Sequence, residues 1–150
     1  MGRWLLGPVT GRRDDVGGWV AALAAGILMA CSGAVHLHLW DIAYRHVAML
    51  GPLFMVQAVA ALVLAVVLVV TRTVAVALAC VVLMLGTVFG FLLADTVGLF
   101  GFTLPVVTAW AYEALVTELL SAAVLSVLVV RSWRASGRHM EGGRGLVRHT

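Results

Sequence analysis

Four long apolar runs dominate the chain, at about 18–39, 47–70, 74–93 and 108–130, separated by short polar breaks. Each is near the roughly 20 residues a helix needs to cross a hydrocarbon core. Valine is abundant in them, but a membrane-spanning strand alternates apolar and polar positions, and these runs do not. Backbone polar groups in lipid must be satisfied within the segment, so each run is expected to be a helix. The pattern therefore predicts an all-α polytopic membrane protein, a four-transmembrane-helix bundle. A polar leader (1–16) precedes the transmembrane domain (17–131), and a basic flexible tail (132–150) follows it. Spans two and three are joined only by Thr71-Arg72-Thr73, a tight hairpin, whereas the stretch from Asp95 to Pro105 is longer and carries Gly98 and Gly101.

Composition agrees with the pattern. The chain is 63% hydrophobic and 11% charged over 150 residues, more apolar surface than a soluble fold of that length can bury. A formal charge of +3, dispersed and without aromatic–basic alternation, excludes a nucleic-acid binder. All ten basic residues are arginine: three in the leader, one in the 71–73 hairpin, five in the tail and Arg45 on the opposite side. By the positive-inside rule both termini are expected to be cytoplasmic, with the Asp41 and Asp95 connections facing outward and the protein multi-pass in the plasma membrane. Arg131 and Arg134 would meet anionic headgroups of the lipid bilayer.

Leu28-Met29-Ala30-Cys31 has the outline of a lipoprotein cleavage box. Met fits its position poorly and the apolar run continues through Leu39, so the first span is expected to be retained. Cys31 and Cys80 fall at different depths, too far apart for a disulfide, and are expected to be buried free thiols. Ala22, Gly26, Ala30 and Ala34 form a small-residue stripe on the first span, and Gly86, Gly90 and Ala94 another on the third. Such stripes let helix backbones approach closely, within the bundle or in a homodimer.

The interior polar residues gather in the outer half. His36 and His38 end the first span; Asp41, Arg45 and His46 fill the first connection; Gln57 lies in the second span, Asp95 ends the third, and Glu113 and Glu118 lie in the fourth. His46 and Gln57 are eleven residues apart, which puts them on nearly one helical face. Glu118 shares a face with Ala111, Ala114, Ser121 and Ala122, small neighbours that suit a face turned into the bundle. Gln57 and Glu118 lie at similar depth and are plausible hydrogen-bond partners, because a lone carboxylate there is costly. His36 and His38 point in different directions on a regular helix. His36 shares its face with Met29, Ser32 and Gly33 and is expected to be the inward one.

Each of these residues also has a plainer reading. His38, Trp40, Asp41 and Tyr44 suit an interfacial belt. Asp41 and Arg45 suit an exposed i,i+4 pair. Glu118 and Gln57 suit structural glue between helices. Against that stands a ligand site of His36, His46, Gln57 and Glu118, with His36, His46 and Glu118 as its metal set. Imidazole and carboxylate together suit a transition-metal ion, and two inward histidines suit haem. No H-E-x-x-H motif is present, and no Ser/His/Asp arrangement argues for a hydrolase.

At Gly33-Ala34-Val35-His36, His46, Gly51, Phe54 and Gln57, and again at Gly98-Leu99-Phe100-Gly101 and Glu118, the chain resembles the small, uncharacterised four-span integral membrane proteins of actinobacterial type. The shared pattern is G-x-x-H, a second His, G-x-x-F-x-x-Q and a late Glu, over about three-quarters of the chain. This sequence departs from it in having Pro52 within the pattern and His38 beside His36. The resemblance implies fold and topology and brings no activity with it.

The expected function is a binding or accessory membrane protein with an outward-facing His/Glu/Gln site for a cation, haem or small polar ligand, beside a membrane-protein partner or as a homodimer. The alternatives are a membrane oxidoreductase or quinone-linked enzyme, in which Glu118 and a histidine handle protons, and a purely structural helper.

Overall fold

The computed structural model describes residues 5–9, 16–98 and 109–146, with side chains as far as residue 134. Its elements are α1 (Val16–Leu39), a π-helical turn (Trp40–Tyr44), α2 (Leu50–Thr71), α3 (Val74–Thr96) and α4 (Ala109–Leu146). Four of these helical stretches are long and apolar enough to cross a membrane: Val16–Tyr44, Leu50–Thr71, Val74–Thr96 and Ala109–Arg134. Valine, Leu and Ala fill them with no interior break, and the chain punctuates them only at the ends. Arg72 adopts a left-handed conformation (φ 49°, ψ 36°) and its N–H returns to the Leu68 carbonyl at 2.9 Å, which stops α2. Thr73 is extended (φ −90°, ψ 151°), and α3 starts at the next residue. Gly98, with φ 85°, follows the end of α3.

The helices pack as a ring in chain order. α1 lies against α2 and α4, and α3 lies against α4, while the α2–α3 seam is the sparsest of the four. Towards the hairpin the core is closed, built from Met29 (α1), Leu68 (α2), Cys80 and Met84 (α3) and Leu125 (α4), all fully buried. Small residues between them, Ala25, Ala61, Ala77 and Ala122, let the helices come together. The outer faces carry Ile27, Val56, Val63, Val66, Val82, Phe89 and Leu120, all exposed. A surface this apolar is one made for lipid.

Two expectations are corrected, those for Cys31 and for Gly86 and Gly90. Within the leader, Gly7–Val9 lies antiparallel to the hairpin, with Val9 N–H donating to Arg72 O (2.7 Å) and Val74 N–H to Gly7 O (3.1 Å). The Val9 side chain is buried in the core, so the piece of the leader nearest the hairpin acts as its lid. The stretch expected as a flexible tail continues α4 as helix through Leu146. Cys31 is exposed on the outside of the bundle, and only Cys80 is a buried thiol. Gly86 and Gly90 do not serve close packing, because nothing lies within 4 Å of a Cβ placed on either. The arginines of the leader (Arg3, Arg12, Arg13) and the 99–108 connection lie outside the described residues.

Candidate functional site

The end of the bundle away from the hairpin opens into a cavity of about 410 Å³, to which all four helices contribute. The first connection sets its rim. The π-helical turn closes with Arg45 N–H on Trp40 O (2.9 Å), a single wide turn of the kind common at functional sites. The turn brings Tyr44 onto the cavity, where it stacks on Phe54 with centroids 4.3 Å apart and planes at 21°. Next comes a γ-turn at Met49 (φ 67°, ψ −45°), with Leu50 N–H donating to Ala48 O at 2.9 Å; this geometry is rare and strained for a side-chain-bearing residue. Gly51 then passes directly beneath the π-helical turn. A Cβ there would lie 2.7 Å from Tyr44 O and 3.0 Å from Arg45 O. The G-x-x-F-x-x-Q pattern thus has a physical meaning: Gly51 permits the close approach, Phe54 supplies the ring, and Gln57, one turn further, faces the cavity.

The polar end of the cavity is a small network. His36 and Glu118 are both buried, at 6% and 2% exposure, with Nε2 and Oε1 3.5 Å apart. His36 Nδ1 lies 2.9 Å from the Ser32 carbonyl. A carbonyl only accepts, so Nδ1 carries a hydrogen and Nε2 is the nitrogen turned to the carboxyl. Ser32 Oγ, also buried, donates to Glu118 Oε1 at 3.4 Å. A single proton between Nε2 and Oε1 satisfies both atoms, whether written as imidazole with carboxylic acid or as imidazolium with carboxylate. In either form the pair is neutral overall, which suits this depth. The His36 ring also rests 5.3 Å from Phe54, completing a row of Tyr44, Phe54 and His36.

Gln57 is buried but does not pair with Glu118 as its depth suggested. Its Nε2 donates to Thr87 Oγ1 at 3.0 Å, and Thr87 spends its own hydroxyl hydrogen on the Leu83 carbonyl at 2.7 Å. That chain of donors fixes the amide: nitrogen towards Thr87, oxygen left as an acceptor. Gln57 and Glu118 do line the same cavity.

The structure therefore gathers His36, Gln57 and Glu118 and leaves His46 out. His46 is exposed in the first connection, where Arg45 Nε donates to its Nε2 at 3.1 Å. The metal set of His36, His46 and Glu118 is not assembled: among the described residues no three His, Cys, Asp or Glu side chains converge to hold an ion. His46 does not line the cavity that His36 faces. The helical spacing from Gln57 back to His46 misled because the helix begins only at Leu50 and the γ-turn at Met49 breaks the register. His38 faces outward and packs on Trp110, with centroids 4.8 Å apart. Asp41 and Arg45 form an exposed contact at 3.4 Å, of little energetic weight.

Tyr44, Phe54 and Thr87 were not singled out for the site by the sequence. Tyr44 reads as an interfacial aromatic and Thr87 as one polar atom in an apolar run. The only signal for them was the coincidence of Gly51, Phe54 and Gln57 at helical spacing. Comparison with protein-family models, curated proteins and solved structures gave no match.

Proposed function

We propose that the chain is a multi-pass plasma-membrane protein, with both termini cytoplasmic, that binds a small amphipathic molecule inside the bilayer as a binding or accessory protein. The observation that carries this reading is the cavity itself. Its walls are apolar side chains from four helices, and its inner end is a buried His36–Glu118 pair with Gln57 alongside. A few convergent polar groups at the end of an apolar pocket are what orients a small ligand. Pure structural glue needs the polar pair but not the empty volume next to it. The size of the cavity falls in the range of about 300–1,000 Å³ typical of ligand sites.

The orientation rests on the arginine distribution, and it puts the cavity in the outer half of the membrane. Cysteines introduced one at a time in a Cys31→Ser background, which keeps only the buried Cys80, test it. A cysteine at Arg138 is expected to label only from the cytoplasmic side and one at Ala48 only from outside; the reverse pattern would discard the orientation. For binding, native mass spectrometry of protein released from mild detergent is expected to show a bound small molecule. The same measurement on Gly90→Trp, which fills the cavity, is expected to show it gone. Equal occupancy in the two proteins would sink the cavity as the binding site.

A further inference from the structure

The hydrogen-bond network leaves a specific vacancy, and this inference rests on the binding reading above. Glu118 Oε1 is used by Ser32 and His36, while Oε2 has no partner among the described residues. Gln57 is fixed with its nitrogen on Thr87, and its Oε1 has no partner among the described residues. Both side chains are more than nine-tenths buried and both line the cavity. Two buried acceptors without donors are expensive to leave unpaired. What the cavity lacks is therefore a donor. We propose that its ligand is an amphipathic amine, an apolar body carrying a protonated nitrogen whose N–H groups meet Glu118 and Gln57.

Charge selects in the same direction. Of the titratable side chains among the described residues, only His36 from α1, Tyr44 from the π-helical turn and Glu118 from α4 line the cavity, and α2 and α3 contribute none. Asp41, His46, Asp95 and Glu113 are exposed outside it. Among the described residues no arginine lines it, so an anionic head would meet a carboxyl with no counter-charge. A cation finds one. Bringing a positive charge into a low-dielectric cavity keeps the site neutral only if the His36–Glu118 pair gives up its shared proton. The bound state is then ammonium against carboxylate, with His36 neutral and its Nδ1–H still on Ser32. The proton leaves to solvent, one for each ammonium bound. Phe54 and Tyr44 offer aromatic surface beside the same spot, which a cation tolerates better than an anion.

The route in follows from the loose seam. Leu53 on α2 and Val82 and Gly86 on α3 line the cavity and are also exposed on the outer surface. A molecule dissolved in the bilayer reaches the cavity there without crossing the rim.

Three probes of like shape test the head group: naphthylethylamine, naphthylethanol and naphthylacetate, titrated calorimetrically into the full-length protein in detergent near neutral pH. The amine is expected to bind at least about tenfold more tightly than the alcohol, with no saturable binding of the acetate. Repeating the amine titration in buffers of different ionisation enthalpy is expected to show about one proton released per site. In Glu118→Gln the amine should fall to the affinity of the alcohol and release no proton. The alcohol should bind that variant within about threefold of the parent, which also shows that it is folded. An alcohol that binds as well as the amine, or amine binding indifferent to Glu118→Gln, overturns the amine proposal while leaving the cavity as a binding site. Failure of all three probes to bind the parent protein overturns both.

Discussion

Two seams of this bundle are built from small residues, and one is shut while the other stands open. On the α1 side, a Cβ on Gly33 would lie 3.0 Å from Leu62 Cγ and 3.1 Å from the Ala58 carbonyl, and one on Gly26 would lie 2.7 Å from Val69 Cγ2. On the α3 side, Cβ atoms on Gly86 and Gly90 would meet nothing within 4 Å. Glycine gives a helix contact in one place and a void in the other. What differs is the partner face. α2 presents Ala58, Ala61 and Ala65 to α1, so the backbones close on each other. At the open seam it places Leu53, Phe54 and Gln57 on the cavity that Gly86 and Gly90 also line. In a bilayer, closing such a gap would bring no hydrophobic gain.

The comparison is broken most forcefully at the shut seam. Gly33→Leu must push α1 and α2 apart against backbone as well as side chain, and is expected to destabilise by about 3 kcal/mol. Gly51→Ala meets rigid backbone, Tyr44 O at 2.7 Å and Arg45 O at 3.0 Å, and should cost about 2 kcal/mol. Thermal unfolding in detergent reads both. A Gly33→Leu variant with the melting temperature of the parent would mean that the seam is not closed in the protein.

Next in size is the polar end of the open half. Glu118→Leu strands the Ser32 hydroxyl and His36 Nε2, and should cost about 1–2 kcal/mol. Glu118→Gln keeps an acceptor for Ser32 and a donor for Nε2, and should lie within about 0.5 kcal/mol of the parent. The gap between these two variants is the useful quantity. If Leu and Gln melt together, the carboxyl is not hydrogen-bonded within the bundle.

These residues also mark how far the sequence could be read. Four helices, the inward turn of His36 and the small-residue face around Glu118 follow from length and helical period alone, because both are local properties. Gln57 was legible as buried but not as the partner of Thr87, since two polar residues at one depth do not reveal which pair across the bundle. His46 was lost because helical phase was carried through Ala48 and Met49, where a γ-turn resets it; Gly51-Pro52, in the first turn of α2, is the local sign that a helix starts there. Gly86 and Gly90 were read as packing because sequence gives the size of a side chain and not of its neighbour. The docking of Val9 on the hairpin is a long-range contact with no local signature.

Thr87→Val tests the seam from α3. It removes the acceptor for Gln57 without changing the volume, and should cost about 1 kcal/mol. It also frees the amide of Gln57 to turn, so amine binding by the same calorimetric titration should weaken although Thr87 need not touch the ligand. Unchanged stability together with unchanged binding would mean that Thr87 does not hold Gln57.

The smallest effects, and the ones of opposite sign, are expected at the open seam. Alanine at Gly86 or Gly90 meets no neighbour, so the steric term that dominates at Gly33 is absent. What remains is the backbone freedom that glycine loses on entering a helix, which alanine does not have to give up. Each substitution should therefore stabilise, by about 0.5 kcal/mol. A methyl group also takes little of the cavity, so binding of the amine probe should survive. The two measurements must move independently: a small rise in melting temperature, with affinity nearly level. If Gly90→Ala instead destabilises as Gly33→Leu does, the α2–α3 seam closes in the bilayer, and the volume next to His36 and Glu118 is not available to a ligand.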